Sequence, residues 1–319
     1  MLTGKADGKL LLQSVLKEHR IPQACIQKSI EVIDSLGLLA DLTEGFPLKR
    51  GMTNQTFLFT AKGEKYLLRL SGEGTEHIIN REHEVAVYEA LKGQGITETV
   101  LYISAETGIK VSCYISDMHP CDARSKEDVR KCLGLLRQFH GKKLKVSHVF
   151  DIYEKISLYE KQCGRAYTRF PDYQQMRQEV LSLRSLIRDM ETYSCLCHVD
   201  AVSDNFLVGN ERTYLIDWEY ASMCDPYIDV AMFCIYAEYE KPMTDWVIRE
   251  YMDQKDTPEA RMLVYAYMCV AAFLWVLWCR IKRDGGVDYA DYEEGQYRLA
   301  KEYCQYAKEL HRRSTKNVF

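Results

Sequence analysis

Apolar residues recur at helical spacing through the first forty positions: Leu11, Val15 and Leu16, then Ile26, Ile30, Ile33 and Leu36. This period of 3.6 predicts helices up to about residue 39. From Phe46 the pattern shortens. The stretch FPLKRGMTNQTFLFTAKGEKYLLRL gives short β-like runs broken at 50–54 and 62–64, which predicts three antiparallel strands. GTEHIINREHEVAVYEALKGQGI returns to a helical pattern and ends at Gly93 or Gly95. ETVLYISAETGIKVSCYIS predicts two more strands around a Glu-Thr-Gly turn. Beyond Ser116 the chain reads as helical over 126–140, 152–162, 173–191, 227–239, 244–251, 258–282 and 288–312. Two short β-like runs, 195–197 and 213–216, interrupt it.

One helical stretch, MLVYAYMCVAAFLWVLWC at 262–279, is uncharged and long enough to suggest a membrane span. Its tryptophans sit near one end only, its tyrosines lie mid-run, and charges flank both sides. It reads as a buried helix of a large lobe, and no membrane partner is expected. The pattern as a whole predicts an α+β, bilobal chain. Residues 1–44 form a helical extension, 45–117 an N-lobe of five antiparallel strands with one helix, and 118–319 a larger, mostly helical C-lobe.

Composition narrows the class. The 319 residues are 47% hydrophobic and 28% charged, as in ordinary globular proteins. A net charge of −4 supplies no basic field for nucleic acid or anionic membranes. The N-terminus shows no secretory h-region, and the 12 cysteines are scattered, often inside apolar helical stretches. They read as reduced thiols of a cytoplasmic protein. Cys195, Cys197 and His198 lack a second pair at zinc spacing and read as buried strand residues.

The chemistry concentrates in SCLCHVDAVSDNFLVGNERTYLIDWE, where Asp200, Asn205 and Asp217 sit among apolar runs. Buried carboxylates need a compensating partner. Phosphoryl transfer supplies a reason: a carboxylate orients the attacking hydroxyl and takes its proton, while hard oxygen ligands hold magnesium. His-x-Asp with Asn five residues on offers a base and one ligand, and the Asp of LIDWE a second. In the N-lobe, RGMTNQTF offers backbone amides at Thr53, Asn54 and Gln55 to phosphates. Arg69, on the third strand, is placed to face them. Glu82 and Glu84 compete to hold Arg69; Glu84 shares a stripe with Val87, Tyr88 and Leu91.

With these residues in view, the chain resembles the aminoglycoside phosphotransferase and choline kinase family of protein-kinase-like folds, and within it the LicA type of bacterial choline kinase. GMTNQ, GTEHIINRE, CHVDAVSDNFL, YLIDWEYASMCDP with Asp229, LWVLW and YADY carry the resemblance, from about residue 45 to the C-terminus. It implies ATP and Mg2+ as cofactors, Asp200 as catalytic base, and Asn205 and Asp217 as magnesium ligands. Glu219 is implied as a second-metal or supporting residue, and Arg69 takes the place of the usual phosphate-binding lysine. Cys113, Tyr114 and Ile115 are implied as the hinge that pairs with adenine, and His198 as a support of the loop.

The tryptophans point to choline, whose quaternary ammonium donates no hydrogen bond and is recognised by aromatic faces. Trp275 and Trp278 are three apart, as are Tyr289 and Tyr292 across an Asp-Gly-Gly turn. Tyr220 is expected to close the pocket, with Tyr236, Glu238 and Glu240 as further candidates. The expected reaction transfers the γ-phosphate of ATP to choline. The alternatives are an ethanolamine or aminoglycoside kinase of the same fold, and a nucleotide-binding protein without turnover.

Overall fold

The computed structural model describes residues 2–48, 54–72, 79–163, 169–190, 193–284, 286 and 288–316. Two compact units emerge: residues 1–118 with 216–220, and residues 119–215 with 221–319.

The first unit begins with α1 (Leu2–Glu18) and α2 (Gln23–Ser35). Five strands follow: β1 (Leu42–Pro47), β2 (Asn54–Ala61), β3 (Glu64–Ser71) and, after α3 (Arg81–Leu91), β4 (Val100–Ile103) and β5 (Lys110–Cys113). Every pairing is antiparallel, in the order β1-β2-β3-β5-β4. Two residues, Lys62 and Gly63, join β2 to β3, and both take positive φ (54° and 77°). That is the turn whose twist suits a tight hairpin, and Gly adopts it at no steric cost. The Asn80 side chain caps α3 by accepting the Glu82 and His83 N–H groups, and so fixes where the helix starts.

The two faces of the sheet differ because side chains alternate along a strand. Phe57, Phe59, Ala61, Leu68, Leu70, Ile109 and Val111 share one cluster with Leu12, Leu16, Ile26, Ile30 and Ile33 of the N-terminal helices. The extension therefore covers an apolar sheet face. Gly8 of α1 lets the chain approach closely: a Cβ there would lie 1.9 Å from the Leu39 carbonyl oxygen. Arg69 and Lys110, paired across β3 and β5, alternate with the members of that cluster and so point to the opposite face.

In the second unit, α4 (Lys126–Gly141), α5 (Ile152–Cys163) and α6 (Tyr173–Met190) follow β6 (His119–Pro120). Short strands β7 (Cys195–Cys197), β8 (Phe206–Val208), β9 (Thr213–Leu215) and β10 (Ser222–Cys224) precede α7 (Tyr227–Tyr236), α8 (Lys241–Tyr251), α9 (Pro258–Asp284) and α10 (Ala290–Lys316). The helix expected to reach residue 239 stops at Tyr236. Glu238 turns left-handed (φ 50°) and the Tyr239 N–H returns to the Cys234 carbonyl. The helix expected from 244 starts at Lys241, because Pro242 fits a first helical turn. The apolar stretch lies in α9, long enough to cross a membrane by length and composition, and 94% of that window is buried inside the protein.

Candidate active site

On the polar face of the first unit, burial forces charges to pair. Arg69 on β3 and Glu84 on α3 meet in a two-pronged ion pair, with Arg69 Nη2 donating to Glu84 Oε2 at 2.8 Å. Glu84, and not the exposed Glu82, holds Arg69. Burial alone would raise the Glu84 carboxyl, but Arg69, aided by Lys110 and Arg81, holds it at about 2. Arg81 Nη1 reaches Glu84 at 2.7 Å and Glu219 at 3.3 Å, and its Nη2 donates to Asn54 Oδ1 at 3.1 Å. Asn54 Nδ2 donates to Glu219 Oε2 at 2.8 Å. The side chain of Asn54 thus anchors Glu219, and one Glu219 oxygen already accepts from two protein groups.

Beside Arg69, the buried Lys110 donates to Glu98 Oε1 and to the Tyr88 hydroxyl, each at 2.6 Å. Three cations (Arg69, Arg81, Lys110) therefore face four carboxylates (Glu84, Glu98, Glu219, Asp217). Asp217 is the one left over: its nearest cation in this set, Arg69 Nη1, is 3.9 Å away. Loss of solvent raises the Asp217 carboxyl; Arg69 and Lys110 pull it down, and Glu84 and Glu98 add to the rise. Its φ of 67° is left-handed, a conformation that costs an L-residue and persists only where the surroundings impose it. A hard carboxylate held this loosely by the described cations could hold a divalent ion.

Of the other expected nucleotide contacts, Thr53 lies outside the described residues, and Gln55 is on β2 opposite Leu70. The expected hinge residues Cys113 and Tyr114 donate their N–H groups to the Thr99 and Lys65 carbonyls. Tyr220 belongs to this unit.

In the second unit, the loop after β7 carries Asp200. The preceding Val199 is left-handed (φ 69°), a rare conformation for a β-branched residue. Asp229 of α7, fully buried, imposes it. Its carboxylate accepts the His198 N–H at 2.8 Å and the Val199 N–H at 2.7 Å, and His140 Nε2 lies 2.9 Å from it. His140, Cys197 and Asp229 are close enough to resemble a metal site. Their atoms are instead occupied by one another, by the two N–H groups, and by carbonyls accepting from Cys197. Asn205 Nδ2 donates to the Asp200 carbonyl at 2.9 Å and sits 3.4 Å from its carboxylate. The other end of the amide, Oδ1, is a hard oxygen of the kind that could hold magnesium.

Aromatic rings gather in the same unit. Trp275 and Trp278 of α9 meet edge-on with centroids 5.1 Å apart, and Tyr289 lies 5.4 Å from Trp278. Tyr292 of α10 meets Tyr236 of α7 at 6.5 Å, and the Tyr236 hydroxyl donates to Asp204 at 2.9 Å. Burial, then Asp204 and to a lesser degree Asp200, raises the Tyr236 phenol; burial, then Cys279 and Asp200, raises that of Tyr292.

Sequence reasoning gave no role to Lys110, Glu98, Arg81 or Asp229. Two signals were available: a lone cation in the apolar strand IKVSC, and a lone carboxylate in the apolar helix YIDVAMFCIY. A buried charge of either kind demands a partner.

Comparisons with known proteins agree with this layout. Protein LicA of Haemophilus influenzae is 24% identical over 264 residues, covering 76% of this chain and 94% of that protein. The crystal structure of choline kinase LicA from Streptococcus pneumoniae superposes with a TM-score of 0.75 at 29% identity, covering 88% of this chain and 99% of that one. A structure of LicA in complex with AMP gives a TM-score of 0.71, also at 29% identity, covering 87% and 96% of the two chains. The fold is that of the protein-kinase-like phosphotransferases. Residues 46–272, most of the chain, match the choline/ethanolamine kinase model, and the chain belongs to that family of ATP-dependent small-molecule kinases.

Proposed function

We propose that this protein transfers the γ-phosphate of ATP to the hydroxyl of choline, releasing phosphocholine and ADP. Asp200 orients the hydroxyl and accepts its proton. The alcohol oxygen bonds to the γ-phosphorus as the bond from that phosphorus to the β–γ bridging oxygen breaks. Arg69, locked by Glu84, grips the phosphates through its planar guanidinium, and the Ile115 N–H pairs with adenine. Asn205 and Asp217 hold magnesium. Bound there, it neutralises charge that develops on the phosphates. Glu219 keeps the Asp217 loop in place through Asn54 and Arg81.

The observation that carries choline is the aromatic group of Trp275, Trp278, Tyr289, Tyr292 and Tyr236 in the unit that holds Asp200. Quaternary ammonium ions bind such faces, each contact contributing about 0.5–2 kcal/mol. Tyr220 is assigned to the same pocket by resemblance. The twelve cysteines are thiols, which supports a cytoplasmic enzyme.

ADP release, measured with ATP and magnesium against choline, ethanolamine, an aminoglycoside and no acceptor, tests the reading. Choline should give the highest kcat/KM. A preference for ethanolamine or an aminoglycoside would replace the substrate, and no release with any acceptor would remove the kinase. Asp200→Asn should abolish turnover while ATP still binds, and retained activity would remove Asp200 as the base.

A further inference from the structure

One buried network in the first unit has no part in the chemistry above. Trp218, adjacent to Asp217, is fully buried, and its indole N–H donates to Thr97 Oγ1 at 2.9 Å. The Thr97 hydroxyl donates in turn to Glu98 Oε2. Glu98 is fixed from its other side by Lys110 at 2.6 Å and by the Tyr88 hydroxyl at 3.1 Å. Lys110 stands opposite Arg69 across β3 and β5. Two buried ion pairs therefore bracket Asp217. Arg69–Glu84 acts on it through space, and Lys110–Glu98 acts through Thr97 and the indole of the next residue.

The cost of this arrangement needs an explanation. A buried Lys–Glu pair roughly breaks even against apolar residues of the same size. Hydrogen-bonded networks of this kind instead fix one geometry. What they fix here is a residue whose left-handed backbone needs outside support.

We propose that Thr97, Glu98 and Lys110 are positioning residues for the metal-binding carboxylate, acting through Trp218 to hold Asp217 at the angle a divalent cation requires. This rests on the reading of Asp217 as a metal ligand given above. None of the three touches substrate. Partners that orient a ligand from behind commonly set metal affinity, and their removal costs about 10–100-fold.

Binding of Mn2+ to the full-length protein in the presence of ADP, followed by electron paramagnetic resonance, tests the relay without turnover. Thr97→Val keeps the shape and removes the hydroxyl; Thr97→Ser keeps the hydroxyl. Thr97→Val should weaken Mn2+ binding about tenfold, and Thr97→Ser should restore it to near wild type. The choline KM of Thr97→Val should stay within about twofold of wild type. Glu98→Gln should weaken Mn2+ in the same direction; should it fail to fold, the threonine pair decides alone. Wild-type Mn2+ affinity in folded Thr97→Val, or no recovery in Thr97→Ser, would overturn the relay while leaving Asp217 as a ligand. A wild-type protein that binds no Mn2+ with ADP would overturn both.

Discussion

Asp229 makes no proposed contact with substrate, yet its substitution should be among the most damaging to turnover. It accepts two backbone N–H groups, from His198 and Val199, at 2.8 and 2.7 Å. Hydrogen bonds to an ionised group contribute about 1.5–3 kcal/mol each. Against them stands the left-handed Val199, which costs roughly 1–2 kcal/mol. In Asp229→Asn the carboxamide oxygen can keep one N–H, but its NH2 then faces the other, donor against donor. The loss, about 2 kcal/mol, matches the strain it had opposed. Val199 should relax out of its conformation and carry Asp200, the next residue, with it. A displacement of about 1 Å at a reacting group costs on the order of 10²-fold in rate. With saturating ATP, magnesium and choline, coupled ADP release should show kcat down about 100-fold, while the choline KM moves less than about threefold. Urea unfolding should stay cooperative, with stability lowered by at most about 2 kcal/mol, since relaxation of Val199 returns part of the loss. Val199→Gly in the Asp229→Asn background should recover about tenfold, because glycine adopts positive φ freely. Unchanged kcat in Asp229→Asn, or no recovery with glycine, would refute the strain argument.

Other expectations follow from the same geometry. Glu84, held at about 2 against an ordinary 4.5, contributes about 3 kcal/mol that is complete above pH 4.5 and lost as pH falls toward 2. The stability gap between wild type and Glu84→Gln in urea should therefore be flat near neutrality and close on acidification; a gap that widens there would contradict the pairing. Gly8→Ala should destabilise by about 1–3 kcal/mol despite alanine's better helix propensity, because the new Cβ meets the Leu39 carbonyl at 1.9 Å. A raised melting temperature would show that α1 does not pack this tightly. Trp275→Ala with Trp278→Ala should raise the choline KM at least about tenfold and leave the ATP KM within about twofold. Equal losses for both substrates would dismantle the aromatic cage.

Helices and strands were legible wherever one periodic face met one core. Strands β2 to β5, α3 and the long C-terminal helices follow from period alone; β1 starts at Leu42, inside the segment 1–44 expected to be helical, because it shows too few apolar positions to display a period. The short strands β6, β8 and β10 do not, because two or three residues cannot display a period. The spacing of Asp200, Asn205 and Asp217 was equally visible, being local in sequence. The network behind Asp217 was hidden because its members come from four separate segments: Tyr88, Thr97–Glu98, Lys110 and Trp218. Only the folded sheet brings them together. A lone carboxylate in the apolar helix marked Asp229 as needing partners, but the partners are the backbone N–H groups of His198 and Val199, which carry no sequence signature.

The first unit cannot be completed from the first 118 residues. It includes 216–220, and these bring Trp218 to Thr97 and Glu219 to Asn54 and Arg81. On a ribosome adding about 5–20 residues per second, the nascent sheet waits roughly 5–20 s for that late strip to emerge. During that wait Arg81 and Asn54 have no Glu219 to bind. A fragment cut at Met118 should therefore be poorly folded, and adding a peptide that spans 216–220 should not easily rescue it, since a separate peptide must also repay the entropy of association.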